Sequence, residues 1–138
     1  MTEITFTVLG QPVGKGRPRS TRTGIHYTPA KTRAAEESFL AQALPYKPDA
    51  PLRGPLRIEI TAIYSVPSSW SKKRRVAAED GIERPTVKPD MDNVVKLILD
   101  SLNGVFYLDD KQVVELEVYK FYGPMPCTNV TLLTLSPD

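Results

Sequence analysis

A chain of 138 residues, 41% of them hydrophobic, is long enough to bury the core of one globular domain and leaves no room for a second. The single cysteine excludes an internal disulfide or a multi-cysteine zinc site, and the lack of a signal peptide or an apolar membrane span predicts a cytoplasmic protein that does not enter the membrane. The formal net charge of +2 conceals a split, because residues 1–89 carry 15 Lys and Arg against 8 Asp and Glu, whereas residues 90–138 carry 3 against 8.

The first part of the chain predicts a strand followed by a basic loop. Ile4, Phe6 and Val8 alternate with threonines, which is the period-two pattern of a half-buried strand. Residues 10–29 show no periodicity and contain four glycines, three prolines and several basic residues. We therefore expect a long basic loop or hairpin here, and loops of this length are usually functional or disordered.

The next part of the chain predicts a helix, a strand and a second helix in turn. A helix with Thr28 as its N-cap and Pro29 at its first position should run to Leu44. Alternating apolar residues predict a strand over residues 56–64. The segment SKKRRVAAED should then form a short basic helix closed by Gly81.

A third helix should begin near Asp90 and end near Asn103, because Gly104 is a natural C-terminal stop. At about 100° per residue, its polar residues gather in one arc and its apolar residues on the other side. The polar arc holds Asp92, Asn93, Lys96, Asp100 and Asn103, and the apolar side holds Val94, Val95, Ile98, Leu99 and Leu102. One side should therefore pack on a core while the other presents charged groups.

Apolar runs predict three further strands, over residues 105–108, 113–121 and 130–135. Together with the two earlier strands and about three helices, they predict an α+β fold. Its sheet should be small, mixed or largely antiparallel, and covered by the helices.

Carboxylates flank the third helix at both ends. Asp90 and Asp92 lie in its first turn, and Asp109 and Asp110 form a second pair after it. Hard oxygen ligands suit magnesium or manganese, and magnesium needs only one or two carboxylates with water and a substrate phosphate. The basic first part of the chain suits a phosphate backbone, which the acidic second part would repel unless cations lay among its carboxylates. The pattern indicates a metal site for phosphodiester hydrolysis, with Lys96, one turn beyond Asp92, near the same phosphate.

Each of these residues also has a purely structural explanation. Asp90 could be an N-cap, Asp92 a first-turn acid that favours the helix dipole, and Asp92 with Lys96 a solvated i,i+4 pair. The later acidic pair could cap a turn. Asp100 is equally compatible with a supporting role at the site and with an ordinary bond on the helix surface.

Several segments form a long composite motif when they are taken together. They are KPDMDNVVK at 88–96, LDSLNGVFY at 99–107 and DDKQV at 109–113, with GKGRPR at 14–19, YTP at 27–29 and PSSWSKK at 67–73 upstream and KFYG at 120–123 downstream. This motif resembles the signature of the RusA family of Holliday-junction resolvases. The resemblance covers roughly residues 10–123, and we expect residues 1–138 to form one nuclease domain of this kind.

The resemblance implies a homodimeric, magnesium-dependent endodeoxyribonuclease that resolves four-way (Holliday) junctions by paired nicks in DNA recombination and repair. It places the catalytic, metal-binding aspartates on Asp90, Asp92 and Asp110, with manganese as a substitute metal, and the catalytic lysine on Lys96. The choice of Asp110 over Asp109 rests on aligning the DD-x-Q element, because the interval after the helix is one residue shorter than in the best-known member.

Basic residues in two segments are the predicted DNA contacts, which would position phosphates without reading base sequence. They are Lys15, Arg17, Arg19 and Arg22 in the first loop and Lys72 and Lys73 at the start of the second helix. For the second group a solvated charge run is an equally good explanation. Trp70 and Tyr27 could stack on an unpaired base, although core packing or loop anchoring is the commoner role, and His26 could contact phosphate or solvent.

Two other functions compete with junction resolution. The same residues could serve a nuclease that acts on forks, flaps or other branched DNA. The chain could also be a non-catalytic nucleic-acid-binding module with a structural acidic cluster. The joint presence of Asp90, Asp92, Lys96 and Asp110 favours catalysis, because DNA binding alone does not require carboxylates and is weakened by them.

Overall fold

The computed structural model of the protein describes residues 1–16, 19–27 and 29–136. Within these ranges the chain forms three α-helices, a four-stranded sheet and a two-stranded ribbon in the basic loop. The elements in chain order are β1 (Glu3–Leu9), β2 (Arg19–Ser20), β3 (His26–Tyr27), α1 (Ala30–Ala43), β4 (Leu56–Ser65), α2 (Lys72–Glu79), α3 (Met91–Leu102), β5 (Val113–Gly123) and β6 (Cys127–Thr134), with short 3₁₀ turns at Leu44–Tyr46 and Asp110–Gln112. The predicted α+β class is confirmed. In the described ranges, each helix is too short or too polar to cross a lipid bilayer.

The main sheet has the strand order β1-β6-β4-β5. β6 runs antiparallel to both β1 and β4, whereas β5 runs parallel to β4. A parallel neighbour requires a crossover from one end of the sheet to the other, and α2 and α3 lie on that crossover. The chain that connects the two parallel strands, β4 and β5, therefore contains α3 and the turn that enters β5.

The core lies between one face of this sheet and the helices. Alternate residues of β4 are buried because successive strand residues face opposite sides. α1 and α3 pack against each other, and α3 buries Val94, Leu97, Ile98, Ser101 and Leu102. Val94, Ile98 and Leu102 confirm the predicted apolar side of α3. Val95 and Leu99 are only partly buried, because the buried side of the helix is rotated toward Leu97.

One predicted strand is wrong. Residues 105–108 form a turn, in which Gly104 has a φ of +80° and the Phe106 N–H donates to the Leu102 carbonyl over 2.9 Å. Phe106 and Tyr107 are nonetheless completely buried. The apolar run therefore reflects core packing, which a short sequence pattern does not distinguish from a strand.

Several boundaries differ by a few residues from the predictions. Pro29 occupies the N-cap position of α1 and not its first helical position, and the predicted cap Thr28 lies outside the described residues. The end of α2 before Gly81, whose φ is +79°, agrees with the prediction. At its start the Ser71 hydroxyl accepts the Arg74 N–H over 3.2 Å. β5 and β6 each extend further toward their connecting turn than predicted.

Candidate active site

The first turn of α3 carries Asp90 and Asp92 as exposed side chains. Asp90 is the N-cap residue, and its backbone carbonyl accepts the Val94 N–H over 3.0 Å. Its carboxylate makes no capping hydrogen bond, so a capping role does not account for the acidic side chain. Asp92 lies in the first turn, where a negative charge interacts favourably with the helix dipole. Both carboxylates are exposed and available to bind a ligand outside the helix.

Lys96 is exposed one turn further along the same helix. In the described part of the chain its ammonium forms no salt bridge with Asp92, so the i,i+4 pair that was the alternative explanation is absent. Lys96 thus carries an ammonium that is unpaired among the described residues, on a helix that is packed against the core, which is the arrangement needed to bind a phosphate.

Asp109 and Asp110 lie on the turn between α3 and β5, and they differ in what they bond. Asp109 and Gln112 form a capping box, in which each side chain bonds the other residue's backbone. The Gln112 side chain also donates to the carbonyls of Leu52 and Gly54, over 3.0 Å each. Asp109 is therefore committed to holding the turn, which favours Asp110 as the carboxylate available to a metal.

Asp110 is crowded by negative charge. Burial, a hydrogen bond with Asp109 and the charges of Asp109 and Asp100 raise the pKa of the Asp110 carboxyl. Tyr107 is buried within reach of this charge, and its hydroxyl donates to the Leu99 carbonyl. Burial, with the charges of these three aspartates, raises the pKa of Tyr107. The sequence predicts no role for Tyr107, because the apolar run at residues 105–108 indicates a strand.

The predicted ligands do not form one ready coordination shell. Within residues 1–16, 19–27 and 29–136, no three Asp, Glu, His or Cys side chains lie close enough together to hold a metal ion. The donor chemistry still fits magnesium, which keeps several waters and uses one or two carboxylates. The crowding of carboxylates at Asp110 is also the kind of charge imbalance that a cation relieves.

The segment just before Asp90 is bonded to the sheet. The Pro89 carbonyl accepts the Tyr64 hydroxyl over 2.9 Å and the Lys120 ammonium over 3.2 Å, and Lys120 also donates to the Val87 carbonyl over 2.8 Å. Burial, with the charge of Asp90, raises the pKa of Tyr64 to about 12, so its hydroxyl stays protonated and donates. Neither residue was assigned a role from the sequence, although a lysine in the alternating pattern of β5 was a detectable signal.

The start of the basic loop docks on α3. Lys15 forms a salt bridge with Asp100, lies 3.6 Å from a Glu36 carboxylate oxygen, and donates its backbone N–H to the Asn93 carbonyl over 2.9 Å. The hydrogen bond that the Lys15 ammonium donates to Asp100 raises the pKa of Lys15. At Gly14, a Cβ would come within 2.7 Å of the Pro89 side chain. The arrangement gives Asp100 a structural bond and favours docking over phosphate contact for Lys15.

The rest of the predicted basic loop is only partly described. Arg17 lies outside the described residues, and Arg19 is described as the first residue of β2 without its side chain. Arg22 is exposed in the turn between β2 and β3. His26 shares a hydrogen bond of 2.9 Å with the Ser20 hydroxyl. DNA contact by the three arginines stays a prediction.

The basic run at the start of α2 consists of two exposed lysines and two arginines that bond to the protein. Arg75, the second arginine, donates to the Pro67 carbonyl over 3.3 Å. Lys72 and Lys73 are exposed to solvent. Arg74 forms a 2.7 Å salt bridge with Glu83, and its guanidinium carbon lies 3.5 Å from the centre of the Trp70 ring. Trp70 also packs edge-on against a buried tyrosine, so the structure gives it an anchoring role. DNA contact by Lys72 and Lys73 stays a prediction.

A cleft of about 470 Å³ opens beside Asp90. Its charged and polar lining consists of Lys15, Lys31, Lys88, Asp90 and Asn93. Since Lys15 is paired with Asp100, Lys31 and Lys88 supply the positive charge beside Asp90, which suits an approaching phosphodiester better than a neutral ligand.

Comparisons with known proteins identify the family. A family model described as endodeoxyribonuclease RusA matches residues 10–133, which includes α3, the acidic turn and Lys120. The chain is also 41% identical over 138 residues to the uncharacterized protein YqaN of Bacillus subtilis (strain 168), a match that covers 96% of this chain and 97% of that protein. The chain therefore belongs to the RusA family of endodeoxyribonucleases.

Proposed function

We propose that this protein is a magnesium-dependent, structure-specific endodeoxyribonuclease that resolves four-way DNA junctions by paired nicks. The observation that carries the proposal is the exposed charged side of α3. In the described part of the chain, the side chains of Asp90, Asp92 and Lys96 make no hydrogen bond or salt bridge, while the opposite side of the helix is packed in the core. Membership of the RusA family supports the reaction class.

Each charged residue has a distinct role in this proposal. Asp90, Asp92 and Asp110 would hold magnesium, with manganese as a substitute. When bound, the ion supplies water activation and charge stabilisation at the phosphate. The Lys96 ammonium, about 6 Å from Asp92 along the helix axis, offsets negative charge that develops on the phosphate or on the leaving oxygen.

The substrate is branched DNA of recombination and repair in the cytoplasm, and the working unit is a homodimer. A four-way junction has two equivalent strands to cut, and a twofold dimer presents two matched sites to them. The edge strand β5, where Val114, Leu116 and Tyr119 are exposed, would contribute apolar surface to the dimer. Light scattering that finds a monomer with full junction-cutting activity would remove the dimer from the proposal.

The test uses labelled four-way junction, fork, flap and linear duplex, each incubated with magnesium, with calcium or with EDTA. We expect paired nicks in the junction with magnesium alone. Calcium should support binding without cutting, since its longer and looser coordination fits hydrolytic geometry poorly. An Asp92→Asn variant serves as the matched control that retains junction binding.

The other outcomes decide between the competing functions. Faster cutting of forks or flaps than of four-way junctions would assign the same site to another branched substrate. Tight binding of the junction without cutting under any metal would make the protein a binding module and would overturn the proposed activity.

A further inference from the structure

Two side chains of the central sheet grip the peptide group that leads into Asp90. The Pro89 carbonyl accepts the Tyr64 hydroxyl over 2.9 Å and the Lys120 ammonium over 3.2 Å. Lys120 also donates to the Val87 carbonyl, over 2.8 Å. Three hydrogen bonds therefore converge on two carbonyls within three residues of Asp90, in a segment that has neither helix nor strand structure of its own.

The two donors lie on neighbouring, hydrogen-bonded strands of the main sheet. Tyr64 is on β4 and Lys120 is on β5, and the parallel register pairs Lys120 with Ala62, a residue that is completely buried. Tyr64 is itself only 5% exposed, and the Lys120 ammonium lies 5.0 Å from the centre of its ring. The sheet thus fixes both donors, and they in turn fix the Pro89 carbonyl.

Lys120 is a partly buried lysine on an otherwise apolar stretch of β5. Its neighbours on the same face are Val118 and Tyr122, which offer the ammonium no charged partner. An aliphatic residue would pack beside them without needing hydrogen-bond acceptors. The bonds to the Val87 and Pro89 carbonyls explain why a lysine is present here. Both carbonyls belong to residues that come just before Asp90 and the first turn of α3.

The geometry points to Lys120 and Tyr64 as positioning residues for Asp90. This inference rests on the proposed function. The Pro89 carbonyl and the Asp90 N–H belong to one planar peptide group, so fixing the carbonyl fixes the plane from which the Asp90 side chain departs. Lys120 and Tyr64 touch neither metal nor substrate in this role. They hold the Asp90 carboxylate in the direction that metal binding needs.

The test measures metal affinity independently of cleavage. The dissociation constant of Mn²⁺ is determined by electron paramagnetic resonance for the wild type, Tyr64→Phe, Lys120→Met and Lys120→Arg. Loss of an outer-shell partner of a metal ligand costs about 10-fold to 100-fold in affinity, so Lys120→Met should weaken Mn²⁺ binding by about tenfold or more. Tyr64→Phe removes one of three bonds and should weaken it by about threefold, and Lys120→Arg should restore most of the loss.

Matched controls are available on the same chain. Lys47→Met and Tyr46→Phe make the same chemical changes at exposed positions outside the site, and should bind Mn²⁺ like the wild type. Junction binding in EDTA should be the same for Lys120→Met and wild type. The magnesium concentration for half-maximal cutting should rise in parallel with the Mn²⁺ dissociation constant, while the rate at saturating magnesium recovers.

The outcomes separate this inference from the proposed function. If the wild type neither binds Mn²⁺ nor cuts DNA, the proposed function fails. If the wild type does both and the Tyr64 and Lys120 variants bind Mn²⁺ equally well, the positioning role alone is wrong. Weaker junction binding by Lys120→Met in EDTA, with unchanged Mn²⁺ affinity, would make Lys120 a phosphate contact instead. If Lys120→Met does not fold, Tyr64→Phe, which deletes a single oxygen atom, decides the question.

Discussion

Replacing Asp110 by Asn should stabilise the metal-free fold and abolish cutting. Burial, the bond and charge of Asp109 and the charge of Asp100 raise the pKa of Asp110, so the folded protein holds this negative charge at a cost. Asn has nearly the same shape and no charge. Because Asp110 and Asp109 are half-exposed, solvent screens the repulsion, and relieving it should stabilise the fold by only about 0.5 kcal/mol. For a chain of this size that corresponds to a rise of about 2 °C in Tm.

The gain should depend on pH in a defined direction. The pKa of the Asp110 carboxyl is higher in the folded protein than in the unfolded chain. The cost of the charge is therefore complete above the folded-state pKa, shrinks as Asp110 takes up a proton, and disappears below the unfolded-state value of about 4. The stability of the wild type should consequently approach that of Asp110→Asn as the pH falls from about 7 toward about 4.

Thermal melts in EDTA and in magnesium, read beside junction cleavage, check both halves of the reasoning. Magnesium should raise the Tm of the wild type by mass action and leave that of Asp110→Asn unchanged. A variant that melts below the wild type in EDTA at neutral pH would refute the repulsion argument. A variant that melts higher but still cuts would remove Asp110 from the metal site.

Three further substitutions test other parts of the site. Lys96→Ala should change the free energy of unfolding by less than about 0.5 kcal/mol, since the side chain is exposed and unpaired among the described residues, yet should slow single-turnover cleavage by about 100-fold or more. Lys96→Arg should rescue poorly, and cutting by Lys96→Ala at the wild-type rate would end its catalytic assignment. The double change of Lys72 and Lys73 to Ala should lower the slope of log junction affinity against log salt concentration by about one to two. An unchanged slope would show that neither lysine contacts the DNA. Gln112→Ala should lower the free energy of unfolding in urea by about 2 kcal/mol, because the side chain's hydrogen bonds to the acidic turn and to Leu52 are lost. A change near zero would show that the turn is stable without these bonds.

The elements predicted well from the sequence are those whose pattern is local. Alternation alone located β1 and β4, because one face of each strand meets the core. The limits of α3 followed from Asp90 at one end and Gly104 at the other. The charged side of α3 was likewise predictable, since Asp92, Lys96 and Asp100 recur at intervals of four residues along one helix.

What the sequence did not reveal depends on contacts between distant residues. The partner of Lys15 is Asp100, and an isolated basic loop gives no sign that one of its cations is already paired. Gln112 holds the acidic turn to the Leu52 segment, some 60 residues earlier, and its capping box with Asp109 favours Asp110 as the available carboxylate. The parallel pairing of β4 with β5 was equally hidden, because strand order is set by the crossover and not by the composition of either strand.

Among the described strands, β6 comes last in the sequence, yet it lies between β1 and β4. A nascent chain on the ribosome therefore carries every proposed ligand before it possesses the strand that joins the two parts of the sheet. Pairing residues 3–9 with residues 127–133 joins segments that lie far apart in the sequence, and such distant pairing is slow. We expect chains that stop before β6 to hold the aspartates on an unfinished support, so that the capacity to nick DNA arises only after β6 has joined the sheet.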